Sequence, residues 1–132
     1  MIKAVIDTNV LVSAFWTKNR LSPTVRIANA IAQDMFMPVY STEMISEYRE
    51  VLSRTKFNFS AVEVNALVDH IVTHGDLSEP AEVNAYFQDP EDKVFYCTAI
   101  AKESKLVTGN IRHYPHADFV VTPAQFCELL GI

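Results

Sequence analysis

The segment Met1-Ile-Lys-Ala-Val-Ile-Asp-Thr-Asn9 is a short apolar run that ends on a carboxylate, Asp7, and passes at once into polar, helix-starting residues. A buried strand that delivers an acid to its own carboxyl end narrows the choice of fold. In open α/β sheets the crevice outside the carboxyl ends of the strands is where ligands bind. The pattern recurs along the chain. Glu47 lies on a helix after the second strand candidate, Asp92 opens a helix, and Asn110 follows the strand candidate Lys105–Thr108. Polar oxygens gathered at one end of a sheet point to a divalent-metal site.

The remaining pattern is strands alternating with helices. Ile2–Asp7 and Met35–Tyr40 read as strands, the second weakened by Pro38 or placed by it near a sheet edge. Thr8–Phe15 begins a short helix and Pro23–Gln33 a second. Thr42–Arg54 is amphipathic, with Met44, Ile45, Tyr48, Val51 and Leu52 recurring at helical spacing. Ser60–His74 is another helix, with Val64, Leu67, Val68, Ile71 and Val72 facing inward, and Gly75 stops it. Asp76–Glu79 is a short strand. Asp89–Glu103 is a helix that starts on Asp89 as N-cap with Pro90 in its first turn. Lys105–Thr108 and Asp118–Thr122 are strands, and Thr122-Pro-Ala-Gln125 is a capping-box start for a last helix ending near Gly131. Such alternation argues for a mainly parallel sheet covered by helices on both faces, an α/β fold.

At 132 residues the chain fits one domain, spanning 1–132, with a core of its own. Three glycines leave no room for a Gly-rich phosphate loop. The net charge of −5, from 11 basic and 16 acidic residues, is unlike that of a generic nucleic-acid binder. It is compatible with an enzyme that grips nucleic acid locally and keeps an acidic metal site. Cys97 and Cys127 fall in helical patterns without CxxC spacing, which fits reduced, buried thiols in a cytoplasmic protein. The N-terminal apolar run is too short for a signal peptide or a membrane span.

Each acid also has an ordinary structural explanation. Asp7 can be a helix N-cap, although Thr8 and Asn9 could cap instead. Glu43, Glu47 and Glu50 share a helical stripe. Glu50 can pair with Arg54, so a solvated face accounts for Glu43 and Glu50, while Glu47 is open to either reading. Asp89 and Asp92 both favour the positive end of a helix. His113 and His116 flank Pro115 without cysteines or a third histidine nearby, and they read as loop residues rather than zinc ligands. The joint order of the acids is more specific than any one of them. Crowded carboxylates repel unless cations intervene, and hard oxygen donors favour Mg²⁺ or Mn²⁺. Such ions activate water and neutralise charge at a phosphodiester.

Four segments in this order resemble the PIN-domain family: Val5-Ile-Asp-Thr-Asn-Val-Leu-Val12, Ser46-Glu-Tyr-Arg-Glu-Val-Leu52, Asp89-Pro-Glu-Asp-Lys-Val-Phe95, and Leu106-Val-Thr-Gly-Asn-Ile-Arg-His-Tyr-Pro115 followed by Val121-Thr-Pro123. The likeness covers essentially the whole chain and is greatest to small stand-alone prokaryotic members that act as toxins of toxin–antitoxin pairs. It implies a PIN-like three-layer α/β/α fold with a central, mainly parallel five-stranded sheet, and a Mg²⁺- or Mn²⁺-dependent endoribonuclease hydrolysing RNA with metal-activated water. An antitoxin partner and a homodimer are also implied. The catalytic, metal-holding acids map onto Asp7, Glu47 and Asp92, with Thr8, Asn9 and Thr108 in support. Many PIN domains carry an acid where this chain has Asn110, which leaves one neutral carbonyl ligand and removes a charge. Asp118 is a possible substitute at the wrong end of the sheet.

A competing reading is a non-catalytic nucleic-acid or protein binding module that keeps the fold with a degraded metal site. A phosphorylated receiver domain also uses acids at strand ends. It would want an acidic pair near the first strand and a Lys after the last, where this chain has Thr8-Asn9 and Thr122-Pro-Ala. If RNA is the substrate, some of Lys18, Arg20, Arg26, Arg49, Arg54 and Lys56 should rim the acidic pocket. Arg112, two residues beyond Asn110, is the first choice for a phosphate contact.

Overall fold

The computed structural model describes residues 1–132. In chain order the elements are β1 (Lys3–Ile6), α1 (Thr8–Trp16), α2 (Pro23–Ala32), β2 (Met37–Tyr40), α3 (Thr42–Leu52), α4 (Ala61–His74), β3 (Asp76–Leu77), α5 (Lys93–Ala101), β4 (Lys105–Val107), β5 (Val120–Val121) and α6 (Pro123–Leu130). The five strands form one sheet in the order β3-β2-β1-β4-β5, and every pairing is parallel. The expected α/β/α architecture with a parallel five-stranded sheet is therefore the observed one.

The central strand shows why. Ala4, Val5 and Ile6 are at most 1% exposed, as befits a strand covered on both faces, whose sequence reads as a continuous apolar run. From β1 the chain steps outward to β2 and β3, then crosses back over β1 to β4 and β5. Right-handed crossovers in opposite directions put their helices on opposite faces of the sheet. Helix α2 packs against α1, α4 and α6, while α5 packs on β1 and β4. Phe36, ahead of β2, meets Phe126 of α6 edge to face with ring centres 4.9 Å apart. The strand order reverses between β1 and β4, so the crevice at their carboxyl ends is the topological switch point of the sheet.

Pro38 lies near an edge, as expected, but not on it: β2 is one strand in, between β1 and the edge strand β3. The Met37 N–H reaches Ile2 O of the β1 side at 2.9 Å, so alternation turns the Pro38 nitrogen toward β3. That strand begins pairing only at Val39, so no ladder bond is lost. The helix expected over Asp89–Glu103 starts as a 3₁₀ turn, Pro90–Asp92, capped by the Asp89 side chain, and becomes α-helical only at Lys93. Strand β5 is only Val120–Val121. Val72, expected on the inner face of α4, is exposed, whereas Val64, Val68 and Ile71 are buried.

Gly75 does end α4, but not through a left-handed conformation; its φ is −83° and ψ −177°. It is needed for close approach, because a Cβ there would collide with Ile71 O and would stand 2.6 Å from Pro38 O. Thr122 and Gln125 form the expected reciprocal capping box. Cys97 and Cys127 are free and buried.

Candidate active site

Asp7 occupies the switch point. Its backbone N–H donates to Val107 O at 2.9 Å, extending the β1–β4 ladder by one residue. Its side chain then caps α1 by accepting from Asn9 N at 3.4 Å. The capping role and the strand-end role thus coexist in one residue. The carboxylate is buried, at 6% exposure. Thr108 Oγ1 and the Tyr114 hydroxyl each donate to Asp7 Oδ2 at 2.9 Å, and Asn9 Nδ2 donates to the same oxygen at 3.3 Å. Burial pushes the Asp7 pKa up, and the bonds from Thr108 and Tyr114 oppose it.

Thr108 and Asn9 tie the ends of β4 and β1 together. Gly109 N donates to Asn9 Oδ1 at 3.0 Å, Asn9 Nδ2 reaches Thr108 Oγ1 at 3.4 Å, and Asn110 N donates to Thr108 Oγ1 at 3.0 Å. The Thr108 hydroxyl therefore gives its one hydrogen to Asp7 while its lone pairs accept from the Asn110 backbone and Asn9.

Glu47 reaches the same region from α3. The Thr8 hydroxyl donates to Glu47 Oε2. One residue further, Tyr48 is fully buried and its hydroxyl donates to Ile6 O. That bond anchors α3 on the last residue of β1, which is why Glu47 arrives beside Thr8. Burial raises the Glu47 pKa, Thr8 opposes, and the charges of Asp7, Glu91 and Asp92 add to the rise. Glu43 and Glu50 are exposed, and Glu50 pairs with Arg54 at 2.8 Å, as the solvated-face reading expects.

Asp92 ends the 3₁₀ turn ahead of α5. Its Oδ2 is buried and has no hydrogen-bond partner. Burial first, then the charges of Asp7 and Asp89, hold its carboxyl up to about 6, with His113 pulling the other way. His113 Nδ1 stands 3.7 Å from Asp92 Oδ2. The structure thus bonds Asp7, Asn9 and Thr108 to one another, holds Glu47 through the adjacent Thr8, and sets Asp92 where the charge on Asp7 bears on it.

Asn110 is exposed, with φ −125° and ψ 64°, and its side chain makes no capping bond. Arg112 is exposed on the 3₁₀ turn Ile111–His113. Asp118 is exposed ahead of β5, at the amino edge of the sheet, and so does not join the acids. Among the basic residues, Arg26 donates to Ile132 O at 3.1 Å and Arg49 pairs with Asp69 at 2.8 Å, so both are engaged elsewhere. Arg54 is held by Glu50, with Glu91 and Glu47 close enough to favour its charged form further.

Two residues were not assigned to this site from the sequence. Tyr114 carries no reading of its own there, and His113 is weighed only as a zinc ligand and reads as a loop residue, yet Tyr114 bonds Asp7 and His113 faces Asp92. Their only sequence signal is position, in the polar stretch leaving a strand end that already carries Thr108 and Asn110.

Residues 3–112 match the family model of the PIN domain. The chain belongs to the PIN domain family. That membership supports a nuclease, and the matched residues contain Asp7, Glu47, Asp92 and Asn110. The PIN domain here is also similar to the crystal structure of VapBC2 from Rickettsia felis bound to a DNA fragment from their promoter. The TM-score is 0.55 and the identity 14%, over 92% of this chain and 97% of that chain. At that identity the likeness is one of fold. Among curated proteins no relative matches. No helix of this PIN domain is long and apolar enough to cross a membrane.

Proposed function

We propose that the chain is a Mg²⁺- or Mn²⁺-dependent endoribonuclease and the toxin of a toxin–antitoxin pair, with Asp7, Glu47 and Asp92 as its metal-holding acids. The observation that carries this reading is Asp92 Oδ2, a buried carboxylate oxygen with no partner, beside two further acids. A buried, unpaired acceptor is costly, and repulsion among the three acids adds to the cost. A hard dication fits such a donor set, because it satisfies the orphaned oxygen and relieves the repulsion together. When bound, the ion supplies charge neutralisation at a phosphodiester and a water of lowered pKa.

The rest of the chemistry belongs to the chain. Thr108, Tyr114 and Asn9 orient Asp7 through Oδ2, which leaves Oδ1 the less engaged oxygen. Thr8 orients Glu47. Asn110 contributes one neutral carbonyl in place of an acid, so a second ion binds more weakly than the first. Arg112 contacts the RNA backbone. A cytoplasmic homodimer bound by an antitoxin protein is the assembly this reading favours, and the R. felis VapBC2 structure, which holds promoter DNA, supports the antitoxin partner. The test is labelled RNA incubated with purified protein, EDTA, and then excess Mn²⁺. Cleavage that stops with the chelator and returns with Mn²⁺ is expected; cleavage indifferent to the chelator counts against the metal.

A further inference from the structure

At the amino edge of the sheet, opposite the acids, three other ligand-type side chains come together. Asp34 lies in the turn leading into β2, and His70 and His74 lie on the last turns of α4, just before β3. All strands are parallel, so the two loops share the edge remote from Asp7. One ligand atom from each of Asp34, His70 and His74 can be chosen so that all lie within 4.8 Å of one another. We propose that these residues form a second metal site, selective for a d-block dication such as Zn²⁺, Ni²⁺ or Co²⁺ and independent of the nuclease reading.

The geometry favours this at each residue. His70 and His74 are four apart on one helix, which stacks them on the same face; their rings lie 4.0 Å apart, 22° from parallel. His74 Nδ1 stands 3.3 Å from His70 O. Donation of the Nδ1 hydrogen to that carbonyl leaves the Nε2 lone pair free, the backbone-assisted arrangement common behind ligating imidazoles. Asp34 Oδ1 stands 2.9 Å from His70 Nε2, a hydrogen bond whose Nε2 proton the ion would displace into solvent, leaving the carboxylate and the imidazole lone pair directed at one point. Ligand bonds of about 2.0–2.2 Å from two imidazoles and one carboxylate leave one tetrahedral position for water. Ligand atoms that share such an ion stand closer than 4.8 Å, and the exposed Asp34 and His74 side chains are free to close that gap. Imidazole selects d-block dications, whereas Mg²⁺ and Ca²⁺ prefer all-oxygen sites.

The site also has a structural consequence. His70 lines a groove of about 630 Å³ between α1, α2 and α4, together with Val25, Asn29 and Leu67. Asp34 follows α2, so one ion would clasp the end of α2 to the end of α4 across the mouth of that groove.

The experiment is a Zn²⁺ titration of the untagged chain by calorimetry, repeated on Asp7→Asn, His74→Ala and His70→Ala/His74→Ala. With excess Mg²⁺ present throughout to fill the acid site, one Zn²⁺ equivalent is expected in the parent and in Asp7→Asn. Loss of a ligand should weaken it by at least about tenfold, since losing even a residue behind a ligand costs that much. Binding that survives in the double variant, vanishes in Asp7→Asn, or is absent from the parent overturns the site. NMR of the unaltered protein gives a check free of folding artefacts: Zn²⁺ should shift the imidazole signals of His70 and His74, and unchanged signals from both contradict the proposal. Because the nuclease reading is tested through RNA cleavage, either idea can fail alone.

Discussion

The Tyr114 hydroxyl donates to Asp7 Oδ2 at 2.9 Å, across 107 positions of sequence. The contact holds the buried carboxylate in one orientation, and it shares its acceptor oxygen with Thr108. Tyr114→Phe should therefore remove one of the bonds that favour the ionised form of Asp7. The expected cost is about 1.5–3 kcal/mol in the metal-free protein, the range for a hydrogen bond to a charged group. Urea denaturation measures it, and cleavage should fall in the same variant. The double variant with Thr108→Val should depart from additivity, because both groups serve one oxygen. Strictly additive losses would mean the two act separately.

Asp92 contributes to the pH response of the metal-free protein, together with Asp7 and Glu47, whose pKa values burial also raises. Its folded pKa of about 6 lies above the ordinary value of 3.8. Between those values the folded state binds more protons than the unfolded state, so stability falls as pH rises through the window. The penalty is complete above pH 6 and is relieved as pH drops toward 3.8. Thermal melting of the parent against Asp92→Asn, each without metal, should show the parent gaining on the variant as pH is lowered from 7 to 5. Parallel curves would remove Asp92 as the source. With Mn²⁺ present the trend should weaken, since protons and metal compete for the same carboxylate.

Gly75 is predicted to tolerate no side chain. A Cβ there meets two backbone carbonyls, Ile71 O and Pro38 O, neither of which is the end of a flexible group. Gly75→Ala should destabilise by about 1–3 kcal/mol, the usual cost of overpacking. A variant as stable as the parent would show that β2 and α4 move apart freely.

Arg112→Ala should weaken binding of a non-cleavable RNA without altering sequence preference, and should lower the slope of log affinity against log salt by about one, as expected for one lost phosphate contact. Unchanged affinity at low salt would take Arg112 off the RNA path.

The sheet was legible because its central strands are buried on both faces, which leaves apolar runs such as Ala4-Val5-Ile6 with little ambiguity. Element ends were harder to read. Asp89-Pro90 announces a helix start, but the first turn is 3₁₀, a choice of hydrogen-bond partner that residue types do not encode. Pro38 placed β2 near an edge but did not show why it is tolerated there, which depends on β3 beginning its pairing only at Val39. In the site, Asp7 was visible as an acid at a strand end, and Glu47 only through its place after the second strand. The bond from Tyr48 to Ile6 O, which carries Glu47 to Thr8, is a tertiary contact with no local signature. Tyr114 was missed, and His113 read only as a loop residue, for the same reason. His70 and His74 show a readable helical spacing, but Asp34 joins them only through the packing of α2 against α4.

The central claim is that Asp7 organises a metal-dependent ribonuclease site. The most direct measurement is the cleavage rate of a labelled RNA by Mn²⁺-loaded parent and Asp7→Asn, prepared side by side with matched circular dichroism. The asparagine keeps the shape and removes the charge. Cleavage by the parent and a loss of at least about a hundredfold in the variant, the scale on which removing one key electrostatic group acts, is the predicted result. Equal rates would contradict the account, and so would RNA binding by the parent without any cleavage, the behaviour of a binding module that has kept the fold alone.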